Sequence, residues 1–418
     1  MNLEARTAIE ALRAGVPNRA AVRLMGIGES GIEQAFDALL QRAADSAGAA
    51  HPGLGVAGGF GTGKSHLLTY LAEVARTHNF VVSRVVISKE TPLADPARVF
   101  EAAMRGAGLP DRNDDAIGGA LGVLRAAPDR LEALEAAVSQ QDAGLAPIFA
   151  AILFLLRKPS LPPELARRCE RFLAGGRITT SSFRQALAAV GAARIFELRL
   201  PAAAVLTEQR IRFASRLFRA AGYAGWCLLL DEVELIGRYA ALQRALAYAR
   251  LATWLGLEAG EKLPGARFPG IVAVYAITDD FVTAVIDHRQ DDEKLPERLR
   301  LKGRPQDAVC ALAAIRHIED TVRLHRLPPP GAEELARDYL SLRKIYEAAY
   351  DWATPALPVP ERTATRTLRQ YIKAWLTQWD LQRLTGAQVA IVEQQIGSDY
   401  REDEGLTASP PEPDDDAG

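Results

Sequence analysis

Eight residues, Gly58 to Ser65 (GGFGTGKS), constrain this chain more than any other stretch. Gly58, Gly59, Gly61 and Gly63 carry no Cβ, so the backbone there can take angles closed to other residues. Such a run can turn successive N–H groups inward as a nest for an anion. The flanks fit that use. Leu54 to Ala57 reads as a short buried strand, and Ser65 to Val74 places Leu67, Leu68, Leu71 and Val74 on one helical stripe. Strand, glycine loop and helix together match the phosphate-binding pattern G-x-x-x-x-G-K-[ST]. In that pattern Gly58, Gly59, Phe60, Gly61, Thr62 and Gly63 cradle phosphates with their backbone, Lys64 reaches the β- and γ-phosphates, and the Ser65 hydroxyl ligates Mg²⁺. His66 follows at the start of the helix and joins the nucleotide-binding set as a packing or hydrogen-bonding residue rather than a catalyst. The expected ligand is a nucleoside triphosphate.

Three more apolar runs read as buried strands: Phe80 to Ser88 (FVVSRVVIS), Trp226 to Asp231 (WCLLLD) and Gly270 to Ile277 (GIVAVYAI). Continuous apolar strands separated by helical patterns predict an α/β fold with a parallel sheet flanked by helices. Ligands of such sheets bind at the C-terminal ends of the strands, and polar residues stand there. Leu228 to Glu234 (LLLDEVE) ends a strand on two acids. Asp231 is placed to hold Mg²⁺, and Glu232 to polarise the attacking water as general base. Glu234 is either an outward residue at a helix start or part of the site. Thr278, directly after the next strand, can bond the γ-phosphate or orient the water; a turn or N-cap role is the alternative.

Hydrolysis gains from a cation set against the γ-phosphate. Leu295 to Arg304 carries Arg298, Arg300, Lys302 and Arg304, one of which could act in trans across a subunit interface. Glu361 to Arg369 carries Arg362, Arg366 and Arg369, one of which could act in cis from a C-terminal helical domain. Arg366 and Arg300 are taken as the two candidates. Tyr371, Trp375 and Trp379 share one helical stripe and are read as core rather than as a platform for bases.

Around these motifs the chain divides into a helical segment at 1–50, an ATPase-like core at 51–306 with a helical insertion at about 107–205, a helical lid at 307–400 and an acidic tail at 401–418. Residues 109–119 are expected to be loop. The net charge of −2 is uneven: residues 1–401 carry 50 basic against 45 acidic side chains, a net +5, and the last 17 residues carry seven acids. That balance permits contact with double-stranded DNA without demanding it. Cys169, Cys227 and Cys310 show no metal or disulfide spacing. The longest apolar run, Phe149 to Leu156, is too short to span a bilayer. No membrane is expected, and the chain reads as a soluble cytoplasmic protein.

The phosphate loop, the Asp-Glu strand end, the polar residue after the next strand and the arginine-bearing helical end together resemble AAA+ ATPases, most of all the origin-recognition and helicase-loader branch. That resemblance implies a P-loop NTPase core, a C-terminal helical lid, ATP at subunit interfaces of a homo-oligomer, and DNA or a protein as client. A narrower set of strings, IEALRAGVPNRAAVR, GGFGTGKSHLL, VVISKETPL, LLLDEVELIGRY and RQYIKAWLTQWDL, is similar to the BrxD family of ATP-binding proteins from BREX phage-defence systems. It implies ATP and Mg²⁺ as cofactors and other BREX proteins as partners. A motor is the leading expectation. A regulatory nucleotide switch with slow turnover is the alternative, and a kinase would need an acceptor site that no motif supplies.

Overall fold

The structure is a computed structural model that describes residues 2–15, 18–25, 31–45, 53–112, 115–158, 161–177, 180–196, 198–257, 268, 270–328, 331–357, 367–386 and 400–406. It begins with helices α1 (Leu3–Ala14), α2 (Arg19–Met25) and α3 (Gly31–Asp45). Strand β1 (Leu54–Ala57), helix α4 (Lys64–Thr77) and strand β2 (Phe80–Val86) follow. Then come α5 (Pro96–Arg105), α6 (Ala116–Arg125), α7 (Pro128–Ser139), α8 (Pro147–Leu156), α9 (Pro163–Leu173), α10 (Thr180–Ala189) and α11 (Ala203–Ala220). Strand β3 (Gly225–Asp231), α12 (Ala241–Trp254) and β4 (Ile271–Ile277) complete the sheet, and α13 (Asp291–Leu301), α14 (Pro305–Leu324), α15 (Ala332–Tyr350) and α16 (Leu368–Thr385) end the helical succession.

The strands form one parallel sheet in the order β1-β4-β3-β2. Alternation explains why each apolar run is needed in full. Trp226, Leu228 and Leu230 of β3 face one core, while Cys227 and Leu229 face the other. Ala273, Tyr275 and Ile277 of β4 divide from Val272, Val274 and Ala276 in the same way. Helices α3 and α4 cover one face; the other packs against α5, α11, α12 and α14. Registers Ala57↔Ile277, Leu230↔Tyr275 and Val86↔Asp231 bring the C-terminal ends of all four strands to one edge. The glycine loop, Asp231 and Thr278 therefore share that edge. Strand β2 stops two residues short of the expected Ser88, although the Ile87 N–H still donates to the Asp231 carbonyl at 2.9 Å.

Helix starts follow local chemistry. Asp95 accepts from the N–H groups of Ala97 and Arg98, with Pro96 at the first helical position. The expected loop at 109–119 is shorter than the sequence suggests. Asp115 caps Gly118 N–H at 2.9 Å, and Ile117, Leu121 and Leu124 are buried, so α6 starts at Ala116 despite its glycines. Tertiary burial overrides the weak helix propensity of Gly118 and Gly119.

The segment expected as an insertion shares its core with the sheet. Phe149 and Ile152 of α8 and Phe172 of α9 lie in one apolar cluster with Trp226 and Leu228. A separate cluster joins the two ends of the chain: Ala5, Ile9 and Leu12 of α1 pack with Leu342 and Tyr346 of α15 and with Tyr371, Trp375 and Trp379 of α16. The aromatic stripe of α16 is thus core. Asp380 accepts from Arg13 at 2.7 Å and from the Tyr346 hydroxyl at 2.7 Å, which ties α1 to α15 and α16. The boundary expected at 306/307 falls inside α14, whose Ala311, Ile315 and Ile318 belong to the sheet's core. After α14, the His325 carbonyl and Leu327 N–H bond Ala57 on the outer edge of β1 at 3.0 and 2.7 Å. No helix among the described residues is long and apolar enough to cross a membrane.

Candidate functional site

A cavity opens where the strand ends meet the helical cluster built from the chain's two ends. One wall is the loop, with Phe60, Gly61, Gly63, Lys64, Ser65 and His66. A second is acidic, with Asp231, Glu232 and Glu234. The third comes from α1 and α16 through Leu12, Gly15, Leu368, Arg369 and Ile372.

The loop takes its shape from two left-handed glycines, Gly61 at φ +80° and Gly63 at φ +104°. A side chain at Gly61 would also place its Cβ 2.8 Å from the Thr367 hydroxyl, so the start of α16 sits directly on the loop. Across that contact the Arg369 N–H donates to the Gly61 carbonyl at 3.3 Å. The Gly58 N–H is tied to the Ile277 carbonyl at 3.1 Å, which fixes the loop's root to β4. Thr62 turns inward and donates to the Gly59 carbonyl at 2.9 Å. Lys64 is buried; its ammonium donates to the carbonyls of Gly58 at 2.8 Å and Gly59 at 3.2 Å, and lies 3.9 Å from Glu234 Oε1. The cation is held by the loop it serves.

The acidic wall follows from the end of β3. Asp231 is buried, with one oxygen accepting from the Glu232 N–H at 3.0 Å and the other from Arg84 at 2.6 Å. Arg84 also donates to the Thr69 hydroxyl of α4 at 2.8 Å. The chain turns sharply at Glu232, whose φ of +58° is left-handed. A non-glycine residue in that region is held there by its surroundings and is a common sign of a working site. Glu232 is exposed as a residue, yet its carboxyl is pushed above the ordinary range by loss of water at the cavity wall and then by Asp231 beside it; Arg369, Lys64 and Arg84 oppose the shift. Glu234 goes further. Burial pushes its pKa up to about 7, with Lys64 pulling the other way, and its Oε2 is buried without a hydrogen-bond partner.

Thr278 is buried at the tip of β4, and its hydroxyl bonds the Tyr400 hydroxyl. It does not line the cavity, and neither do Gly58, Gly59 and Thr62, which act through their contacts with Lys64 and with one another. Arg300 lies exposed on α13, away from the cavity. Arg366 falls outside the described residues. Arg362 is likewise outside the described residues; Arg369, the one described member of that arginine cluster, lines the cavity, its guanidinium 5.4 Å from the centre of the exposed Phe60 ring. A local signal marks its place: Thr367 and Gln370 form a capping box, which sets the start of α16 and puts Arg369 in its first turn. Sequence reasoning also left Glu234 undecided and gave no hint of Leu12, Gly15, Arg84 or Tyr400.

The donor set suits a magnesium nucleotide. Ser65 and Asp231 offer oxygens to one cavity, and no cluster of three or more His, Cys, Asp or Glu among the described residues could cage a metal alone. Mg²⁺ typically takes one or two protein oxygens and completes its shell with phosphates and water.

Residues 2–124 match the family model described as BREX system ATP-binding protein BrxC/D, and over that span the resemblance expected from the quoted strings is shown. No curated protein and no solved structure matches the chain.

Proposed function

We propose that this chain binds ATP with the loop Gly58–Ser65 and hydrolyses it, as an AAA+-like P-loop ATPase of a BREX-type phage-defence system. The observation that carries this reading is the convergence of Lys64, Ser65, Asp231, Glu232 and Arg369 on one cavity. In the proposed reaction the loop N–H groups take the phosphates, and Lys64 leaves the Gly58 and Gly59 carbonyls for the β- and γ-phosphates. Ser65 and Asp231 would hold Mg²⁺, which would neutralise phosphate charge. Glu232 orients and deprotonates the attacking water, aided by a carboxyl already raised above its ordinary range. Arg369, reaching in from the helical side, opposes the charge that builds on the γ-phosphate. The apolar Leu12, Leu368 and Ile372 suit the flat face of the base.

The helices α15 and α16, with α1 and α2, serve as the lid over a core formed by the sheet and its helices. Turnover is coupled to assembly or remodelling on DNA or on partner proteins, with Arg300 exposed on α13 and so open to a second copy. Size-exclusion with light scattering, with and without ATP and duplex DNA, tests that part; a monomer under every condition removes the trans role of Arg300.

The hydrolytic reading is tested by Glu232→Gln. Phosphate release should fall on the order of a hundredfold or more while ATP still binds. Unchanged release would remove Glu232 as the base. A regulatory switch is the second reading, favoured by the engagement of the Thr278 hydroxyl with Tyr400. A slow steady-state rate that neither DNA nor partner proteins raise would favour it over a motor.

A further inference from the structure

Residues 400–406 lie against the hydrolytic edge of the sheet, far along the chain from every motif that builds it. Their contacts fall on the two segments that carry the site's polar tips. Arg238, at the end of the turn that follows Asp231 and Glu232, donates to Asp403 at 2.8 Å and accepts the Asp403 N–H on its carbonyl at 3.0 Å. Arg244 reaches Glu402 at 3.3 Å and Arg289 reaches it at 3.5 Å, and Arg289 also donates to the Tyr400 carbonyl. Arg244 is itself buried on Asp291 at 2.7 Å, so its position is fixed before the segment arrives. The Tyr400 ring packs edge-on to Phe281, their centres 6.0 Å apart, and a Cβ at Gly237 would stand 2.9 Å from the Tyr400 ring. Acids on the segment meet arginines on the body, and an aromatic side chain fills a slot that only glycine leaves open.

The hydroxyl at the end of that ring decides what Thr278 can do. Tyr400 donates its one proton to Asp280 Oδ1 at 2.9 Å, because a carboxylate oxygen only accepts. In the Thr278–Tyr400 bond the tyrosine oxygen is then the acceptor and the threonine the donor. Thr278 also has one proton, and Tyr400 takes it. A γ-phosphate oxygen is an acceptor too, so Thr278 cannot donate to it while Tyr400 is in place.

We propose that residues 400–406 form a strap that holds hydrolysis down, with Tyr400 as a positioning residue acting through the Thr278 hydroxyl. The proposal rests on the reading of the site as a hydrolytic ATP site. Thr278 stands buried outside the cavity wall while the strap is in place, and release of the strap frees its proton for the phosphate. The strap is built to release: the side chains of Glu402 and Asp403 are 53% and 41% exposed, and ion pairs at such positions are individually weak and screened by salt.

The test compares the full-length protein with Tyr400→Phe and with the double variant Glu402→Gln, Asp403→Asn, measuring ATP affinity and kcat separately. Both variants should bind ATP as the wild type does and turn it over about threefold to tenfold faster, the worth of one hydrogen bond. Raising salt should lift kcat of the wild type towards that of the variants. A packing role alone would lower kcat or stability instead. Unchanged or reduced kcat in Tyr400→Phe with ATP binding intact overturns the strap and leaves the ATP site standing. A wild type that binds no ATP, or a Lys64→Ala variant that binds it equally well, overturns the ATP site and the strap with it.

Discussion

Two walls of the cavity have opposite origins. The loop wall comes from one short stretch of chain, Phe60 to His66, that follows β1 and runs into α4. The facing wall is assembled from Leu12 and Gly15 near one end of the chain and Leu368, Arg369 and Ile372 near the other, and it belongs to a different apolar cluster. The first wall is held by backbone geometry that the sheet dictates. The second is held by side-chain packing among α1, α15 and α16, and it meets the first where the Arg369 N–H donates to the Gly61 carbonyl. A ligand between them touches two bodies with separate cores.

Removing the core of the facing wall should have the largest effect. Trp379 is fully buried, with Tyr346 and Tyr339 rings 5.3 and 5.6 Å away. Trp379→Ala should cost about 3–5 kcal/mol of the helical body's stability. In urea followed by circular dichroism, that body should unfold first while the sheet persists; a single unshifted transition would show that the two walls are one unit. Lys64→Ala breaks the other wall without unfolding it: ATP affinity by calorimetry should fall on the order of a hundredfold, with melting unchanged in the absence of ATP.

Glu234 offers a smaller effect set by pH. Its carboxyl is raised from 4.5 to about 7 in the folded chain, so between those values the folded state binds more protons than the unfolded one. Stability from this group is present below about 4.5 and is lost as pH rises through about 7. Glu234→Gln should remove that slope and leave the variant on the order of 2 kcal/mol more stable than the wild type at pH 8. Parallel pH profiles for the two proteins would contradict the burial of that carboxyl. Arg369→Ala should have the smallest effect, a fall in kcat of about tenfold with the fold intact, because it removes a cation that acts on Glu232 from the facing wall.

The same contrast explains what could be read from the sequence. Where chemistry is local, the residues announce it. The glycine spacing at 58–63 gave the loop, and apolar runs ending in Asp231 and Thr278 gave strands whose tips share an edge, because parallel strands must align their C-terminal ends to meet helices on both faces. The facing wall has no such signature. Leu12 and Ile372 are ordinary residues on helical stripes, and only packing between α1 and α16 turns them towards the loop. Arg369 was visible as one of three arginines, but singling it out requires knowing where α16 begins. Glu234 was undecided for a related reason: the turn at Glu232, left-handed in a residue with a side chain, swings the next acid into the cavity rather than out to solvent. Residue 400 lies beyond any periodicity, and its contact with Thr278 is purely tertiary.

The sheet's two rims carry one more consequence. On the outer side of β1, Ala57 is bonded by residues 325 and 327; on the outer side of β2, Val82 and Gly108 exchange a pair of bonds, each 2.9 Å long. Each crossing is a single bridge, too short to count as another strand. Placed at both rims, these bridges occupy backbone groups that would otherwise invite a second sheet to add on, the usual route from an open edge to aggregation. Both flanks of the sheet are thus occupied by the chain's own backbone, each at one residue.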